Sequence, residues 1–554
     1  MNKKVCSFPI LFALLALLIG ICAVVFPASA QAAPTSTGSI TVSGTVARSY
    51  DAYQIFSANV VDGDSDAKIA TDLAWASDDV RDAAMPVLHS AGMPKSQTTA
   101  QEAAEWLNAD SHLTSALSAQ LARSLQSSGA VSVALNAGTA AELPCGYWLV
   151  VADDDAIAQG EAGTAPIMAL VGGSAVTVKP KAATPKVAKH VLEDSTAAWQ
   201  KAADATVGDD LYWRLSATVP AGLTAYDTYT VRFVDTMSAG LDPSKVAASM
   251  RVYVAAGADG GFDAVPTGKD GRAGTEPAKG WTDITAQCGV SVDGKTFTVR
   301  TGDLIAALGG ADAFTAGARV VAVYNAPLSS ACNHGIAKGN PNEVYLRYPR
   351  SPFADQSGDA GFTHTPSDDA CAYTWDLALT KRGSDGDKPL AGAVLSIIDD
   401  RGRALAADGT WDADGKATVT TGEDGRVTVS GVDSGKLEVR ELKAPKGYTA
   451  FEGTRSVTVK AEGLDVDQVA AAKPKLTITA ESPLRADSAD GSTGSLEASL
   501  INTPTGTPPS ITTGGFMPST GDMAMYAAAA AAVAGAALIV VALLVKRGGG
   551  SHKE

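Results

Sequence analysis

The sequence is poor in the residues on which most enzymes and metal sites depend. It contains 6 histidines and 6 cysteines among 554 residues, and the histidines are scattered. No HExxH, P-loop, G-x-S-x-G or dinucleotide-binding motif occurs, and no C-x-x-C spacing predicts zinc or redox chemistry. These absences argue against a turnover enzyme, and they predict that the chain needs neither a metal nor a cofactor.

The sequence also lacks a basic stripe. Its formal net charge is −16, so no surface is predicted to neutralise the phosphates of a nucleic acid. Nucleic acid is therefore not expected as a partner. The acidic stretches Asp62–Asp66 and Asp412–Gly415 lack the terminal glutamate of an EF-hand loop, which favours acidic turns over calcium sites.

Both ends of the chain carry targeting signals. Residues 1–32 contain two lysines, then the apolar run ILFALLALLIGICAVVF, then small residues, an order typical of a secretory signal peptide. Two A-x-A cleavage sites compete, ending at Ala30 and Ala32. Residues 523–545 are long and apolar enough to span a bilayer as a helix, and two basic residues follow. Everything between the two signals is predicted to lie outside the cell.

Few cysteines remain in this exterior part. Four are left once the signal peptide is removed, and they face an oxidising compartment in which disulfides persist. The candidates for disulfide bonds are Cys145, Cys288, Cys332 and Cys371. Four cysteines allow three pairings, and the sequence does not choose between them.

The exterior part is too long for one core, and it divides into three sections of different pattern. Residues 33–180 combine strand patterns with a helical section, roughly Ala67 to Ser127, and predict an α+β domain. Residues 181–352 and 373–505 consist of short strand patterns separated by Gly- and Asp-rich turns. This pattern is typical of antiparallel β-sandwiches.

Two further segments connect and extend these sections. Residues 353–372 are polar and turn-rich, which predicts a linker, and residues 506–516 form a spacer rich in proline, glycine and threonine. The predicted fold class is therefore mainly β and multidomain. It comprises an N-terminal α+β domain, two Ig-like sandwiches and a C-terminal transmembrane helix.

Directly before the apolar span stands the motif MPSTG. The order of motif, apolar span and basic tail resembles the LPxTG cell-wall sorting signal of Gram-positive surface proteins. Pro518 matches that signal, and Met517 replaces its usual leucine. The resemblance implies a sorting signal over residues 517–554. A sortase would cleave between Thr520 and Gly521 and transfer the threonine acyl group to an amine.

The last section carries a second resemblance. The strings LTKRGSDGDKPLAGAVLSI and LEVRELKAPKGYTAF, with an asparagine before a later TP, resemble the CnaB-type domains of Gram-positive surface proteins. The family positions correspond to Lys381, Glu441 and Asn502. The resemblance implies a spontaneous isopeptide bond from Lys381 Nζ to Asn502 Cγ, with Glu441 as acid and base.

Elementary chemistry explains why such a bond needs three residues. An amine attacks a carboxamide only when it is neutral, and burial between two sheets lowers the pKa of a lysine. The same apolar surroundings raise the pKa of a carboxyl group, which can then hydrogen-bond the amide oxygen and shuttle a proton as ammonia leaves. Folding holds the groups together, so the slow reaction becomes effectively unimolecular.

The middle section resembles the CnaA-like, isopeptide-forming domain of fimbrial backbone subunits. The strings PKVAKHV, VRFVDTMSAGL and AKGNPNEVYLRYP carry the resemblance. It implies Lys189 as nucleophile, Asp235 as proton shuttle and Asn342 as electrophile. Asn340 competes with Asn342, because residues two apart on a strand lie on the same face. Lys186 competes with Lys189 and lies on the opposite face.

The junction between the first two sections reads AVTVKPK and resembles the pilin motif V-x-V-Y-P-K. Its last lysine, Lys181, is implied to attack the sortase acyl-enzyme made from Thr520 of the next subunit. Lys179 stands where the family has tyrosine, and the choice between the two lysines stays open. This lysine must be exposed, unlike Lys189 and Lys381.

Together these motifs identify the chain as similar to the sortase-assembled fimbrial backbone pilins (SpaA/FimA-like) of Gram-positive bacteria. The resemblance implies a three-domain subunit that a class C pilin sortase joins head to tail and a housekeeping sortase attaches to peptidoglycan. The implied partners are these sortases, identical subunits and a host-surface ligand that the sequence does not identify. The alternatives are an accessory or tip pilin outside the shaft, and a surface hydrolase.

Overall fold

The computed structural model of the protein describes residues 36–44, 47–64, 67–109, 111–180, 184–220, 223–257 and 280–506. Four predictions fall outside these residues: the signal peptide, the pilin-motif lysine Lys181, the spacer beyond its first residue at 506, and the sorting tail with its apolar span. Within the described ranges, no helix has the length and apolar character that crossing a membrane requires.

The first part of the chain, where it is described, combines eight strands with three helices. The elements are β1 Thr37–Val42, β2 Ser49–Asp62, β3 Lys68–Trp75, α1 Asp78–Ser90, α2 Ala100–Asn108, α3 Ser115–Ser128, β4 Ser132–Asn136, β5 Ala140–Pro144, β6 Gly146–Ala152, β7 Ile167–Val171 and β8 Val176–Val178. One sheet has the order β5-β1-β8, and the other has the order β3-β2-β6-β7 with β4 paired to β2. The helices cover the larger sheet.

Local sequence signals explain where the helices begin. At α2, the Thr99 side chain accepts a hydrogen bond from the Glu102 backbone N–H at 3.2 Å, and the Glu102 carboxylate accepts one from the Thr99 N–H at 2.9 Å. The apolar face of the helices packs on the sheet in a core that includes Ile55, Leu121 and Leu149. The capping box and this buried face together fix the helical layer on one side of the sheet.

The helical section begins later than predicted. Lys68–Trp75, which fell within the predicted helix, forms β3 and pairs antiparallel with β2. Leu73 and Trp75 are two residues apart, which is the period of a strand, and both pack against the core, whereas Ile69 is exposed. Strand β2 supplies the backbone hydrogen bonds. The helix prediction was therefore wrong for this segment.

The middle part of the chain is a sandwich of two sheets. Its elements are β9 Val187–Glu193, β10 Ala198–Gln200, β11 Ala202–Asp204, β12 Tyr212–Thr218, β13 Arg232–Met237, α4 Val246–Ser249, β14 Arg251–Ala255, β15 Trp281–Asp283, β16 Gly289–Asp293, β17 Thr296–Arg300, α5 Leu304–Ala307, β18 Arg319–Asn325, β19 Asn340–Pro349, β20 Phe362–His364 and β21 Asp368–Tyr373. The sheet orders are β10-β9-β12-β18-β14-β15 and β11-β21-β19-β13-β17-β16, with β20 paired to β19. Trp213 and Leu215 of the first sheet share one core with Phe233 and Leu346 of the second.

The segment after β19 is not a linker along its whole length. Within residues 353–372, β20 and most of β21 form strands, and both pair with β19. The linker prediction was therefore wrong for these strands, and β19 is not the final strand of its sheet. The polar composition of this segment resembles a loop and therefore did not indicate strands. The strands form because β19 supplies their backbone hydrogen bonds, and Thr363 and Ala370 become buried as a result.

The last part of the chain is a second sandwich. Its strands are β22 Trp375–Gly383, β23 Val394–Ile398, β24 Ala404–Leu405, β25 Trp411–Asp412, β26 Val419–Thr420, β27 Arg426–Val432, β28 Gly435–Lys443, β29 Tyr448–Thr449, β30 Thr454–Glu462, β31 Lys475–Ala480, β32 Leu484–Asp490 and β33 Ser495–Pro504. The sheet orders are β27-β22-β33-β29, with β32 on β33, and β25-β24-β23-β28-β30-β31, with β26 on β23. The prediction of a mainly β, multidomain chain is confirmed.

The two sandwiches meet at a polar junction. Trp375 Nε1 donates a hydrogen bond to Asp204 Oδ2 at 2.6 Å, and the Ser434 backbone N–H donates to the same oxygen at 3.0 Å. Nearby, Arg403 Nη2 donates to Asp209 Oδ2 at 2.7 Å. Charge-assisted hydrogen bonds therefore join the last part of the chain to the middle part.

Candidate functional sites

The three residues predicted for the middle section meet inside its sandwich. Lys189 lies on β9 of one sheet, while Asp235 and Asn342 lie on the adjacent strands β13 and β19 of the other. Asp235 is opposite Val344, and Asn342 is opposite Met237, so the two polar side chains are diagonal neighbours on one face. All three predicted side chains are fully buried.

A fourth residue, missed by the sequence reasoning, lies at the centre of this site. Tyr324 is on β18, in the same sheet as Lys189, and it donates its hydroxyl proton to Asp235 Oδ2 at 3.0 Å. The Tyr324 oxygen accepts hydrogen bonds from Lys189 Nζ at 2.9 Å and from Asn342 Nδ2 at 2.8 Å. Lys189 Nζ also donates directly to Asp235 Oδ2. The phenol therefore contacts all three predicted groups.

Burial dominates the electrostatics of the middle site. Loss of solvation lowers the pKa of Lys189 to about 8, although the nearby charge of Asp235 opposes this shift. Burial likewise raises the pKa of Asp235, against the charge of Lys189. The rings of Trp213 and Tyr324 lie 5.5 and 5.4 Å from Lys189 Nζ and exclude water from it. Both shifts favour a neutral amine beside a neutral acid.

A second lysine supports the backbone of the middle site. Lys201 Nζ donates to the Lys189 carbonyl oxygen at 2.8 Å and forms an ion pair with Asp368. The Asp368 carboxylate also accepts from the Lys189 backbone N–H at 2.7 Å. Lys201 is therefore bonded to backbone and carboxylate groups, and it holds β9 at the position from which Lys189 reaches across the sandwich.

The competing residues occupy different surroundings. Asn340 is buried and fully hydrogen-bonded: its Oδ1 accepts from the Asn333 N–H at 2.9 Å, and its Nδ2 donates to the carbonyl oxygens of Asn333 at 2.8 Å and Ala372 at 3.2 Å. Lys186 is exposed. Neither contributes a contact to the phenol of Tyr324, whereas Lys189 and Asn342 both do.

The three residues predicted for the last section also meet. Lys381 Nζ lies 3.3 Å from Glu441 Oε1, and Asn502 Nδ2 donates to Glu441 Oε1 at 2.9 Å and Oε2 at 3.1 Å. The Phe451 backbone N–H donates to Glu441 Oε2 at 3.1 Å and fixes the carboxylate. Burial lowers the pKa of Lys381 to about 8, against the charge of Glu441.

The strand positions differ between the two sites. In the last section, Lys381 on β22 and Asn502 on β33 belong to neighbouring parallel strands, and Asn502 is opposite Gly383, two residues beyond the lysine. Glu441 faces them from β28 of the other sheet. In the middle section the lysine faces the acid and the asparagine from the opposite sheet.

Unpaired polar atoms occur in both sites. Among the described residues, Asp235 Oδ1, Asn342 Oδ1 and Asn502 Oδ1 are buried without a hydrogen-bond partner. Buried polar atoms normally find partners, because leaving one unpaired costs about 1–3 kcal/mol. The carboxamide oxygens of both asparagines therefore remain available to an acid that could polarise them.

Each site brings together the parts of one reaction. A buried amine with a lowered pKa can attack a carboxamide carbon, and a carboxyl group within hydrogen-bond reach can move the proton that the leaving ammonia requires. The fold supplies both the proximity and the dry surroundings.

The four candidate disulfide cysteines are free thiols in the structure. Burial raises the pKa values of three of them, Cys288, Cys332 and Cys371, to about 11. Cys145 lies in the first part of the chain and packs with Val60. The structure therefore shows none of the expected disulfides: Cys288 and Cys332 lie in the core of the middle part without being bonded, Cys371 lies in the core of the last part, and Cys145 lies in a cluster of the first part.

Residues 376–473 match the SpaA prealbumin-like fold domain. The matched range includes Lys381 and Glu441 and ends before Asn502. The predicted resemblance to pilins of Gram-positive bacteria is confirmed over this range.

Individual proteins are also similar to this chain. The trypsin-resistant surface T6 protein of Streptococcus pyogenes serotype M6 is 30% identical over 129 residues, which cover 22% of each chain. The chain thus matches about a fifth of the length of this curated relative. Among solved structures, the T6 backbone pilin of Streptococcus pyogenes is 16% identical, with 86% of this chain and 100% of that chain covered and a TM-score of 0.47. The major pilin SpaD of Corynebacterium diphtheriae is also 16% identical, with 85% of this chain and 98% of that chain covered and a TM-score of 0.41.

Proposed function

We propose that this chain is the backbone subunit of a covalently polymerised pilus on a Gram-positive cell surface. The observation that carries the proposal is the presence of a buried cluster of lysine, carboxyl group and asparagine in each of two sandwiches. Lysine and acidic residues are almost never fully buried unless they are paired, and here each buried pair also lies against an asparagine carboxamide. Two such clusters in one chain fit a protein that cross-links itself internally.

In the middle sandwich, the proposed bond joins Lys189 Nζ to Asn342 Cγ, with Asp235 as acid and base. The contacts favour Asn342 over Asn340, because the amide of Asn340 is fully engaged with backbone groups whereas Asn342 Oδ1 has no partner. The reaction releases the side-chain nitrogen of Asn342 as ammonia.

In the last sandwich, the proposed bond joins Lys381 Nζ to Asn502 Cγ. Glu441 contacts both groups, so one carboxyl group can accept the lysine proton and return it to the leaving nitrogen. Each of these bonds forms once per molecule, so the protein is not an enzyme in the sense of turnover.

The internal bonds suit a fibre that carries tension. A force applied between the two ends of a subunit passes through each covalent bond and bypasses the strands that the bond encloses. The middle bond ties β9 to β19 across the sandwich, and the last bond ties β22 to β33 within one sheet. Neither sandwich could then extend fully without breaking a covalent bond.

Polymerisation is proposed to use residues outside the described part of the chain. A class C sortase would cleave between Thr520 and Gly521, and Lys181 of another copy would attack the resulting acyl-enzyme. A housekeeping sortase would attach the finished fibre to peptidoglycan. The proposed organisation is a secreted precursor with a pilin domain, two isopeptide sandwiches and a C-terminal membrane helix.

The test of polymerisation is incubation of the purified chain with a class C sortase. We expect a ladder of covalent multimers on denaturing gels, its loss in Lys181→Ala and its retention in the matched variant Lys179→Ala. A wild-type chain that stays monomeric would contradict the shaft role and favour an accessory or tip subunit. A ladder lost only in Lys179→Ala would move the nucleophile to that residue.

A further inference from the structure

The phenol of Tyr324 connects Asp235 with Asn342, two side chains of the middle site between which no direct hydrogen bond occurs. Its oxygen lies 3.0 Å from Asp235 Oδ2 and 2.8 Å from Asn342 Nδ2, the nitrogen that must leave. Among the described residues, Asp235 has hydrogen bonds to Lys189 and Tyr324, and its second oxygen has no partner. The acid therefore reaches the leaving nitrogen only through the phenol.

The last sandwich shows what a site looks like without such a bridge. Glu441 is one methylene longer than an aspartate, and its two oxygens lie 2.9 and 3.1 Å from Asn502 Nδ2. The same carboxylate lies 3.3 Å from Lys381 Nζ. One carboxyl group thus contacts both the attacking and the leaving nitrogen directly, and no hydroxyl group in the described part of the chain is hydrogen-bonded to it.

We propose that Tyr324 is a catalytic residue of the middle site, which relays a proton between Asp235 and the departing nitrogen of Asn342. This inference rests on the proposed Lys189–Asn342 bond and adds a role that the lysine, acid and asparagine cannot fill by themselves. The shorter acid and the bridging phenol together replace the single longer acid of the last sandwich.

The proposed step balances in atoms and protons. Lys189 Nζ forms a bond to Asn342 Cγ, and the bond from Cγ to Nδ2 breaks. The proton lost by Nζ passes to Asp235 Oδ2, the Tyr324 hydroxyl takes a proton from that oxygen, and the hydroxyl gives its own proton to Nδ2. Ammonia leaves, and the acid and the phenol end in the protonation states in which they began.

The surroundings keep the phenol neutral during this exchange. Tyr324 is fully buried, and loss of solvation together with the charge of Asp235 raises its pKa well above the ordinary value. Because the phenolate is unfavourable here, the hydroxyl group accepts one proton and donates another in a single concerted step. The edge-to-face contact with Phe297, at 4.8 Å between ring centroids, fixes the ring in the required orientation.

The experiment compares bond formation in wild type, Tyr324→Phe and Tyr348→Phe. Tyr348 is an equally buried tyrosine of the same core, and its hydroxyl faces the Glu161 carbonyl oxygen at 3.4 Å, away from the site. The full chain is synthesised in a cell-free reaction with lipid nanodiscs, and samples are denatured in acid at successive times. Mass spectrometry of the digests measures both cross-linked peptides, and the Lys381–Asn502 peptide serves as an internal clock.

We expect Tyr324→Phe to slow the Lys189–Asn342 bond about 100-fold relative to the internal clock, since general acid–base catalysis contributes about 10²- to 10⁴-fold. Tyr348→Phe should leave both rates unchanged. A middle bond that forms at the wild-type rate in Tyr324→Phe would overturn the relay. Absence of this bond from wild type would overturn the proposed cross-link itself, and with it the relay.

Two further variants separate chemistry from folding. Tyr324→Phe in an Asn342→Ala background should melt within a few degrees of Asn342→Ala alone, because neither chain can form the bond and only one hydroxyl differs. Asp235→Glu combined with Tyr324→Phe gives the middle site the longer acid of the last sandwich. We expect this double variant to recover bond formation to within about tenfold of wild type. A double variant as slow as Tyr324→Phe would contradict the relay.

Discussion

Each of the two sandwiches buries a lysine, a carboxyl group and an asparagine, but the carboxyl groups differ in length and in the groups that they contact. Glu441 contacts both its lysine and its asparagine, whereas Asp235 contacts its lysine and is joined to its asparagine through Tyr324. An acid shortened by one methylene is thus matched by an added hydroxyl group. Under the proposed function, each bond needs a continuous proton path from the lysine nitrogen to the asparagine nitrogen, and the two sandwiches would supply this path in two different ways.

The sites also differ in what a bond would connect. In the middle sandwich the lysine reaches from one sheet to the other, so a bond there ties two sheets together. In the last sandwich the lysine and asparagine lie on adjacent parallel strands, so a bond there ties two strands of one sheet. Both arrangements bury the lysine completely, which shows that the dry surroundings are common to both and the strand arrangement is not.

The largest expected effect comes from removing the electrophiles. Asn342→Ala and Asn502→Ala should each abolish one bond and leave the other intact. In the chain-entropy account, a cross-link that closes a loop of about 120 to 150 residues contributes about 5 kcal/mol of stability. Its loss should therefore lower the melting temperature by about 10 °C. Calorimetry and peptide mapping measure these changes. Asn340→Ala is the matched control and should retain the middle bond; loss of that bond in Asn340→Ala would assign the electrophile to Asn340.

Shortening Glu441 by one methylene tests whether the length of the acid decides how each site works. Glu441→Asp should withdraw the carboxyl group from Asn502 Nδ2, and no hydroxyl group of the described residues is hydrogen-bonded to either side chain to bridge the gap. We expect the Lys381–Asn502 bond to form about 100-fold more slowly, with the middle bond as internal clock. The measurement is the same time course of cross-linked peptides. An unchanged rate in Glu441→Asp would break the argument from acid length.

The two sites should respond alike to pH. The reactive state of each pair holds one proton, so that the lysine is neutral while the acid is protonated. Because burial lowers the pKa values of Lys189 and Lys381 to about 8, the pair loses this proton as pH rises through 8. Above that value, both rates should fall about tenfold per pH unit. Rates that keep rising up to pH 10 would show that a neutral amine suffices and that the acid donates nothing.

The smallest effect concerns the junction between the sandwiches. Burial and the charge of Asp204 raise the pKa of Glu193 to about 7 from an ordinary value of 4.5. The folded state therefore holds this proton more tightly than the unfolded state, so the stability from Glu193 is complete below pH 4.5 and is lost as pH rises through 7. The melting temperature should fall by a few degrees between pH 5 and 7.5. Glu193→Gln should flatten this dependence; an equal fall in the variant would remove Glu193 as its cause.

The sequence motifs were sufficient to predict which side chains of each sandwich meet. Lys189, Asp235 and Asn342 were predicted from three separate strings, and the structure brings them together, as it does the corresponding residues of the last section. Such motifs are informative because lysines and carboxyl groups in apolar strands are rare enough to stand out. The alternating strand patterns likewise predicted the two sandwiches.

Other features could not be read from the chain. Tyr324 lies in the string VVAVYN, where a tyrosine is indistinguishable from an ordinary core aromatic. Its role depends on which strands face β18 across the sandwich, and that is decided by tertiary packing. The strands β3, β20 and β21 were missed because their polar residues resemble turns or a helix surface, while their hydrogen bonds come from strands distant in sequence.

The central claim, that both sandwiches cross-link themselves, is tested most directly by the intact mass of the purified mature chain. The account predicts a mass lower than that of the amino-acid sequence by two molecules of ammonia, with cross-linked peptides that join Lys189 to Asn342 and Lys381 to Asn502. A folded chain whose mass equals that of its sequence would contradict the account.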